Sequence, residues 1–328
     1  MKHRNRLVIL TMIMLVLVLS GCSKATSTGG KKSAFPDKTL TAICPWSAGG
    51  GTDTVLRGLT KETEEFLGQT ITVTNQTGGG GAIGHTAIKN AKNDGYTVGM
   101  ITFELSSLPA QGIIDYTHED FSLLMRVNME SAAITVPADA PYETIHDFIE
   151  YAKAHPGEVK VGNSGIGATW HVAAGLFEQV TEVELGHVPF DGAAPAVTAL
   201  IGGHIDAVAV SASEVQAQVE AEELKILAIM DEERSKVFTD VPTMYEEGYD
   251  VVFGTWRGLA VPKDTPQDVV DVLSDAFKKG IESDGFKDYA EKTGLNIAYQ
   301  NAEDFREFLA KNSLDVAKVL KGLGLSAE

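Results

Sequence analysis

Residues 40–53 constrain the fold of this chain most. An apolar run from Leu40 to Cys44 passes through Pro45-Trp46-Ser47-Ala48-Gly49-Gly50-Gly51-Thr52-Asp53 into an amphipathic segment that begins near Thr54. This spacing predicts a strand that turns into a helix. Three successive glycines let backbone N–H groups approach a guest without side chains in the way, and Ser47, Thr52 or Asp53 can cap the helix that follows. The turn contains no lysine or arginine. A nucleotide phosphate loop would continue from its glycines into Lys-Ser/Thr, because a lysine must offset the phosphate charge, whereas here the glycines run into Thr52-Asp53. The expected guest therefore carries less charge than a triphosphate, on the order of one or two carboxylates.

The same alternation continues along the chain. Apolar, β-rich runs at 40–44, 71–74, 96–102, 159–162, 185–190, 205–210 and 225–230 alternate with helix-like stretches near 53–67, 82–92, 143–154, 168–180, 193–201 and 213–222. Such a pattern predicts parallel α/β sheets with ligands at the C-terminal ends of strands. Beyond about residue 265 the chain reads as helical, with Pro266 as a first-turn residue and amphipathic spacing in Val269, Val270, Leu273 and Phe277, then in Phe305, Phe308 and Leu309. A mature length near 300 residues exceeds one ordinary core and predicts two lobes. The chain should cross between them near 126–140 and 250–260, giving lobe 1 as 36–130 plus 256–328 and lobe 2 as 131–255.

The N-terminus reads as an export leader. Lys2, Arg4 and Arg6 precede an apolar run from Leu7 to Leu19, too short for the ~20 residues a membrane-spanning helix needs, so the run is a signal segment. Leu19-Ser20-Gly21-Cys22 resembles a bacterial lipobox, which makes 1–21 the signal peptide and Cys22 the lipidated first residue. Residues 22–35 then form a polar tether to the outer face of the cytoplasmic membrane. Only Cys22 and Cys44 occur, so no disulfide framework is expected, and Cys44 reads as a buried packing thiol. The formal charge of −18 grows more negative when the basic leader leaves. That acidity argues against nucleic acid as a partner, while local dipoles in a cleft can still hold an anion within a Debye length of ~8 Å.

Two further turns share the glycine-rich, base-free character of the first. Residues 77–84, Thr-Gly-Gly-Gly-Gly-Ala-Ile-Gly, follow a strand and open a helix, as do Asn163-Ser164-Gly165-Ile166-Gly167-Ala168-Thr169 in the second lobe. If the 46–53 and 163–169 turns face each other, two helix N-termini point at one ligand. Each dipole contributes roughly 0.3–1 kcal/mol when exposed and up to ~2 when partly buried.

These residues carry a family resemblance. The 45–53 turn, Asn75 to Gly84, Asp94-Gly95-Tyr96-Thr97, Asn163 to His171, His187-Val188-Pro189-Phe190-Asp191-Gly192, Asp240-Val241-Pro242-Thr243-Met244 and Trp256-Arg257-Gly258-Leu259 resemble the Bug-type solute receptors of tripartite tricarboxylate transporters, in order from about residue 36 to the C-terminus. The resemblance implies an α/β, two-lobed, clam-shell fold of the periplasmic-binding-protein kind, with parallel-rich sheets flanked by helices and two interlobe crossings. It also implies a non-catalytic, monomeric receptor that hands a small carboxylate, a di- or tricarboxylate or an amino acid, to a membrane permease, with no cofactor and no metal. The implied ligand contacts, direct or through ordered waters, are Trp46, Ser47, Ala48, Gly50, Gly51, Thr52 and Asp53 from the first turn, and Asn163, Ser164, Gly165, Ala168 and Thr169 from the second. Phe103, Glu104, Phe190 and Asp191 complete the set. Ala168 stands where family members often carry serine, and Thr169 can supply that hydroxyl. Glu104 follows the strand 96–102 and, in the implied fold, looks into the cleft, where it would repel a purely anionic guest and favour one bearing a hydrogen-bond donor or cation.

Competing readings come from the same residues. Gly79-x-Gly81-x-x-Gly84 with Glu104 about twenty residues on imitates a dinucleotide fingerprint, but it lies in the second strand–turn unit and on an exported chain. Ser164 lacks the closing glycine of a nucleophile elbow. The histidines show no metal-binding spacing, and His171 reads as a packing or loop-holding residue. Trp46 and Trp256 suit either ligand walls or packing. Arg57 and Arg257 are the nearest cations, and Glu62, Glu64 and Glu65 form a solvated helix face. Within the binding class, a sensor that signals to a membrane kinase remains an alternative to transport.

Overall fold

The structure, a computed structural model, describes residues 35–327. The leader and Cys22 lie outside the described residues. In chain order the elements begin with β1 (Leu40–Cys44), α1 (Gly51–Leu67), β2 (Ile71–Asn75), α2 (Ala82–Lys89), β3 (Thr97–Thr102) and the single-turn α3 (Glu104–Ser107). A long strand β4 (Phe121–Pro137) leads to α4 (Ile145–Ala154), β5 (Lys160–Asn163), α5 (Thr169–Thr181), β6 (Gly186–Pro189), α6 (Ala193–Ile201) and β7 (Ala207–Ser211). After α7 (Gln216–Glu220) and β8 (Leu224–Ile229) come β9 (Gly254–Pro262), α8 (Gln267–Glu282), α9 (Asp284–Lys292), β10 (Ile297–Asn301) and α10 (Ala302–Gly322).

Two sections of parallel strands arise from strand–helix–strand crossovers, which return each strand in the direction of the last. In the first, β1 pairs with β2 and β3; in the second, β5 pairs with β6 and β7. The sections share β4. From Phe121 to Ser131 it pairs antiparallel with β9, and from Ala132 onward it pairs antiparallel with β7 and β8. The stretches expected as bare crossings near 126–140 and 250–260 are thus strands of the sheet. One carries the chain out and the other brings it back, so side by side they run antiparallel and the sheet is mixed.

Two apolar clusters lie on the two sections. One gathers Ile134, Phe148, Phe177, Val208 and Leu227, and the other Ile43, Phe103, Trp256, Phe305 and Leu309. Helix α10 closes the second cluster because Asn301 caps it, accepting from the Glu303 and Asp304 N–H groups at 2.9 and 3.0 Å, while Phe305 and Leu309 fall one turn apart on its inner face. Burying each such side chain stabilises the fold by about 1.5–3 kcal/mol. Pro266 takes the N-cap of α8 rather than a first-turn position, its ψ of 137° being extended.

Gly84 in α2 brings that helix against the 45–53 turn. A Cβ there would lie 2.5 Å from the Pro45 Cα and 2.7 Å from the Gln76 carbonyl oxygen, both backbone atoms that cannot swing aside. Gly84→Ala should therefore lower stability by about 1–3 kcal/mol in urea denaturation; an unchanged midpoint would contradict this close approach.

Candidate functional site

Helix α1 starts without a side-chain cap of its own. Its N-cap is Gly50, not Ser47, Thr52 or Asp53, and the Gly51 N–H donates to Glu214 Oε1 at 2.9 Å, from the turn that follows β7 in the other section. A Cβ at position 51 would sit 2.6 Å from Arg257 Nη2 and 2.7 Å from that same glutamate oxygen, so glycine is what permits the contact. Asp53 instead staples the turn. It accepts from the Gly49 N–H at 2.9 Å, from Asn75 Nδ2 at 2.8 Å and from Arg57 Nε, and although burial pushes its pKa up, these partners hold it below the usual carboxylate value.

Helix α5 repeats this solution with the sections exchanged. Its N-cap, Ala168, has no capping side chain, and the Thr169 N–H and hydroxyl both donate to Glu104 Oε1, at 2.9 and 2.7 Å. Glu104 stands at the end of β3 in the first section, 1% exposed, and its second oxygen accepts from the Thr102 hydroxyl. Behind it, His85 Nδ1 lies 2.8 Å from the Gly81 carbonyl while Nε2 accepts from the Thr102 N–H at 3.1 Å, which fixes the neutral tautomer. Burial lowers the His85 pKa against the pull of Glu104.

Arg257, on β9, lies between these contacts with its side chain 2% exposed. Its Nε donates to Thr52 Oγ1 at 3.0 Å, Nη1 pairs with Glu130 of β4, and Nη2 lies 3.7 Å from Glu214 Oε1. Glu130 also accepts from the Ser213 hydroxyl, and Glu214 Oε2 from the Ser211 N–H and hydroxyl at 3.1 and 3.0 Å. Burial raises the Glu214 pKa, opposed by Arg257 and assisted by the like charge of Glu130. The enclosed space here is about 20 Å³. That is room for about one water, so an organic acid can enter only if the sections separate.

Of the residues singled out in the sequence, Trp46, Gly50, Gly51, Thr52, Glu104, Ser164 and Thr169 come together around this cavity. Trp46 is buried, its indole N–H donating to Thr102 Oγ1 at 3.3 Å, and Ser164 Oγ accepts from the Trp170 N–H at 3.3 Å. Arg257 lines the cavity as well, and the remaining singled-out residues lie outside its wall. Ser47 packs its hydroxyl against Gly192, while Ala48 and Asp191 are exposed. Phe103 packs edge-to-face on Phe253 in the core, and Trp256 does the same on Phe305. Asn163 Oδ1 accepts from the Gly165 N–H at 3.0 Å, and the Asn163 carbonyl accepts from the Phe190 N–H at 3.0 Å. Gly165 lies beside Gly80 of the 77–84 turn, and both have positive φ, +109° and +60°, which favours glycine; Ala168 is fully buried. Arg57 is half exposed and serves Asp53.

Sequence reasoning omitted Trp170, Gly192, Ala193, Glu214 and Thr255, which also line the cavity, and left Arg257 undecided. Ser211-x-x-Glu214 is a capping-box pattern that the structure forms, so that signal was present, although it points to a local role. Arg257 was visible as a lone charge within an apolar strand. Cys44 is buried, which pushes its thiol up to about 12 and leaves it inert.

A two-section sheet whose sections each turn a helix N-terminus toward a shared polar junction defines a bilobal solute-binding protein. Over residues 55–325 the chain matches the family model described as the tripartite tricarboxylate transporter family receptor, TctC. It is similar to a TctC solute-binding protein from Polaromonas, at 40% identity and a TM-score of 0.64, covering 88% of this chain and 99% of that one. The periplasmic binding protein BugD is 28% identical with a TM-score of 0.85, covering 90% of this chain and all of its own. A UPF0065 protein from the gbd 5′ region of Cupriavidus necator is 30% identical over 293 residues, 89% of each chain. The chain belongs to the tripartite tricarboxylate transporter receptor family. That is a family of solute-binding receptors and not of enzymes, so the dinucleotide reading of Gly79, Gly81 and Gly84 is set aside.

His171 holds the second turn, its Nδ1 accepting from the Gly167 N–H at 3.0 Å beside the His187 ring. Burial first, then His187, lowers its pKa to about 4. The unfolded value is about 6.5, so the folded state takes up fewer protons and its stability should fall as pH drops from about 6.5 toward 4. His171→Gln keeps an acceptor without the titration. Urea midpoints at neutral pH and at about pH 5 should decline less in the variant than in wild type; equal declines would remove His171 from the acid response.

Proposed function

We propose that this chain is a lipid-anchored extracytoplasmic receptor that encloses a small organic carboxylate between two lobes and delivers it to a transporter permease. One observation carries the reading: the first turns of α1 and α5 face one buried polar junction, each with N–H groups that have no carbonyl partner within the helix. Charge-assisted hydrogen bonds from such groups contribute about 1.5–3 kcal/mol each, enough to hold a carboxylate without a lysine at either turn. The family's association with a tricarboxylate transporter supports the ligand class and the permease. The change of strand partner at Ser131 and Ala132 supports lobes of 36–130 plus 256–328 and of 131–255, and the receptor is proposed to work as a monomer. Among the described residues no helix is long and apolar enough to cross a membrane; the proposed anchor is Cys22, on the lipobox-like Leu19-Ser20-Gly21-Cys22.

Two expectations test this. Wild type should fractionate with membranes and incorporate labelled fatty acid while Cys22→Ala does neither; unmodified Cys22 in a soluble wild-type protein would remove the anchor. At the site, Thr52→Ala and Ser164→Ala should each weaken carboxylate binding by about 0.5–3 kcal/mol, a few-fold to around a hundredfold by calorimetry. Affinities equal to wild type in both variants would place the site elsewhere.

A further inference from the structure

The closed junction encloses more negative charge than positive. Glu104 and Glu214 line it, and Glu130 is buried behind it on Arg257, the guanidinium that pairs with Glu130 and lies 3.7 Å from Glu214. His85 is neutral by its hydrogen bonds, and Asp53 is matched separately by Arg57. Three carboxylates against one guanidinium leave an excess of two. A plain dicarboxylate would double that excess inside a space closed to solvent, where each unpaired buried charge costs several kcal/mol. The two helix N-termini do not offer themselves freely either, because Glu214 already accepts from the Gly51 N–H and Glu104 from the Thr169 N–H.

We infer that the guest of this receptor is a zwitterionic amino acid, its ammonium group received by Glu104 and Glu214 and its carboxylate by the donors that remain. This rests on the carboxylate-receptor reading above and narrows it. The remaining donors are present at the cavity wall: the Thr52 N–H, in the first turn of α1, has no intrahelical acceptor, and the Thr52 and Ser164 oxygens each accept a bond and keep a hydroxyl proton to give. A zwitterion adds no net charge to the junction. Its ammonium brings three donors to carboxylates otherwise supplied largely by neutral N–H and O–H groups, and its carboxylate meets backbone N–H groups at the positive end of a helix. Glu104 and Glu214 come from opposite sections, so an ammonium between them would also draw the sections together.

The experiment uses the mature protein in a thermal-shift screen of the standard amino acids against the acids of the same carbon skeletons lacking the amino group, plain diacids of four to six carbons included. Hits are then measured by calorimetry in wild type, Glu104→Gln and Glu214→Gln. At least one amino acid should bind wild type ~10-fold or more tightly than its deaminated counterpart, and each substitution should cut that preference ~10-fold while improving the plain acid. Glu104→Gln keeps an acceptor for the Thr169 N–H, so it serves even if Glu214→Gln fails to fold. Plain acids binding wild type as tightly as their amino counterparts, or a preference unchanged in the variants, would overturn the inference and leave the carboxylate reading standing. Binding of neither class would overturn both.

Discussion

The closed arrangement depends on a reciprocal exchange of carboxylates between the two sections of the sheet. Glu214 of the second section closes the N-terminus of α1 in the first, and Glu104 of the first closes the N-terminus of α5 in the second. Each helix start lacks a side-chain cap, and each glutamate keeps one oxygen bonded within its own section, so the helix N–H and the other carboxylate oxygen find each other only where the sections meet. Charge-assisted bonds of about 1.5–3 kcal/mol apiece are strong enough to favour closure yet weak enough to be exchanged for a guest or for water. Arg257 ties the exchange to the shared strands, since it joins Thr52 and Glu130 from its place on β9.

Function follows from the geometry of that exchange. The cavity of about 20 Å³ cannot take an organic acid as it stands, so binding requires the polar surfaces to part and close again on the guest. Glycine makes the fit possible at Gly51, where any Cβ would strike Arg257 and Glu214, and at Gly80 and Gly165, where the two neighbouring turns take positive φ. Asp53 and His171 hold the two turns from behind through Gly49 and Gly167, so the loops arrive at the junction already shaped.

Local features were legible in the sequence and long-range pairings were not. The turns at 45–53 and 163–169 announce themselves by glycine between an apolar run and an amphipathic one, because positive φ and close approach are properties of a few adjacent residues. Glu104 was legible through its place at the end of a strand. Glu214 was not, since its partner Gly51 lies 163 residues away and only the packing of the two sections joins them. Strand β4 escaped for another reason. Its Arg126, Asn128 and Glu130 alternate like a solvated face, yet all three are buried, Arg126 donating to the Ala298 carbonyl at 2.8 Å and lying over the Phe308 ring. The alternation is that of a strand, but its polar face is covered by β10, α10 and the turn after β7 rather than by water.

The central claim is that Glu104 and Glu214 hold the two sections together before any guest arrives. Small-angle X-ray scattering of the ligand-free mature protein, wild type against Glu104→Ala/Glu214→Ala, tests it most directly. The variant should remain folded by circular dichroism and show a larger radius of gyration than wild type, as the sections come apart. Superimposable scattering curves from the two proteins would contradict the claim and assign closure to the rest of the interface.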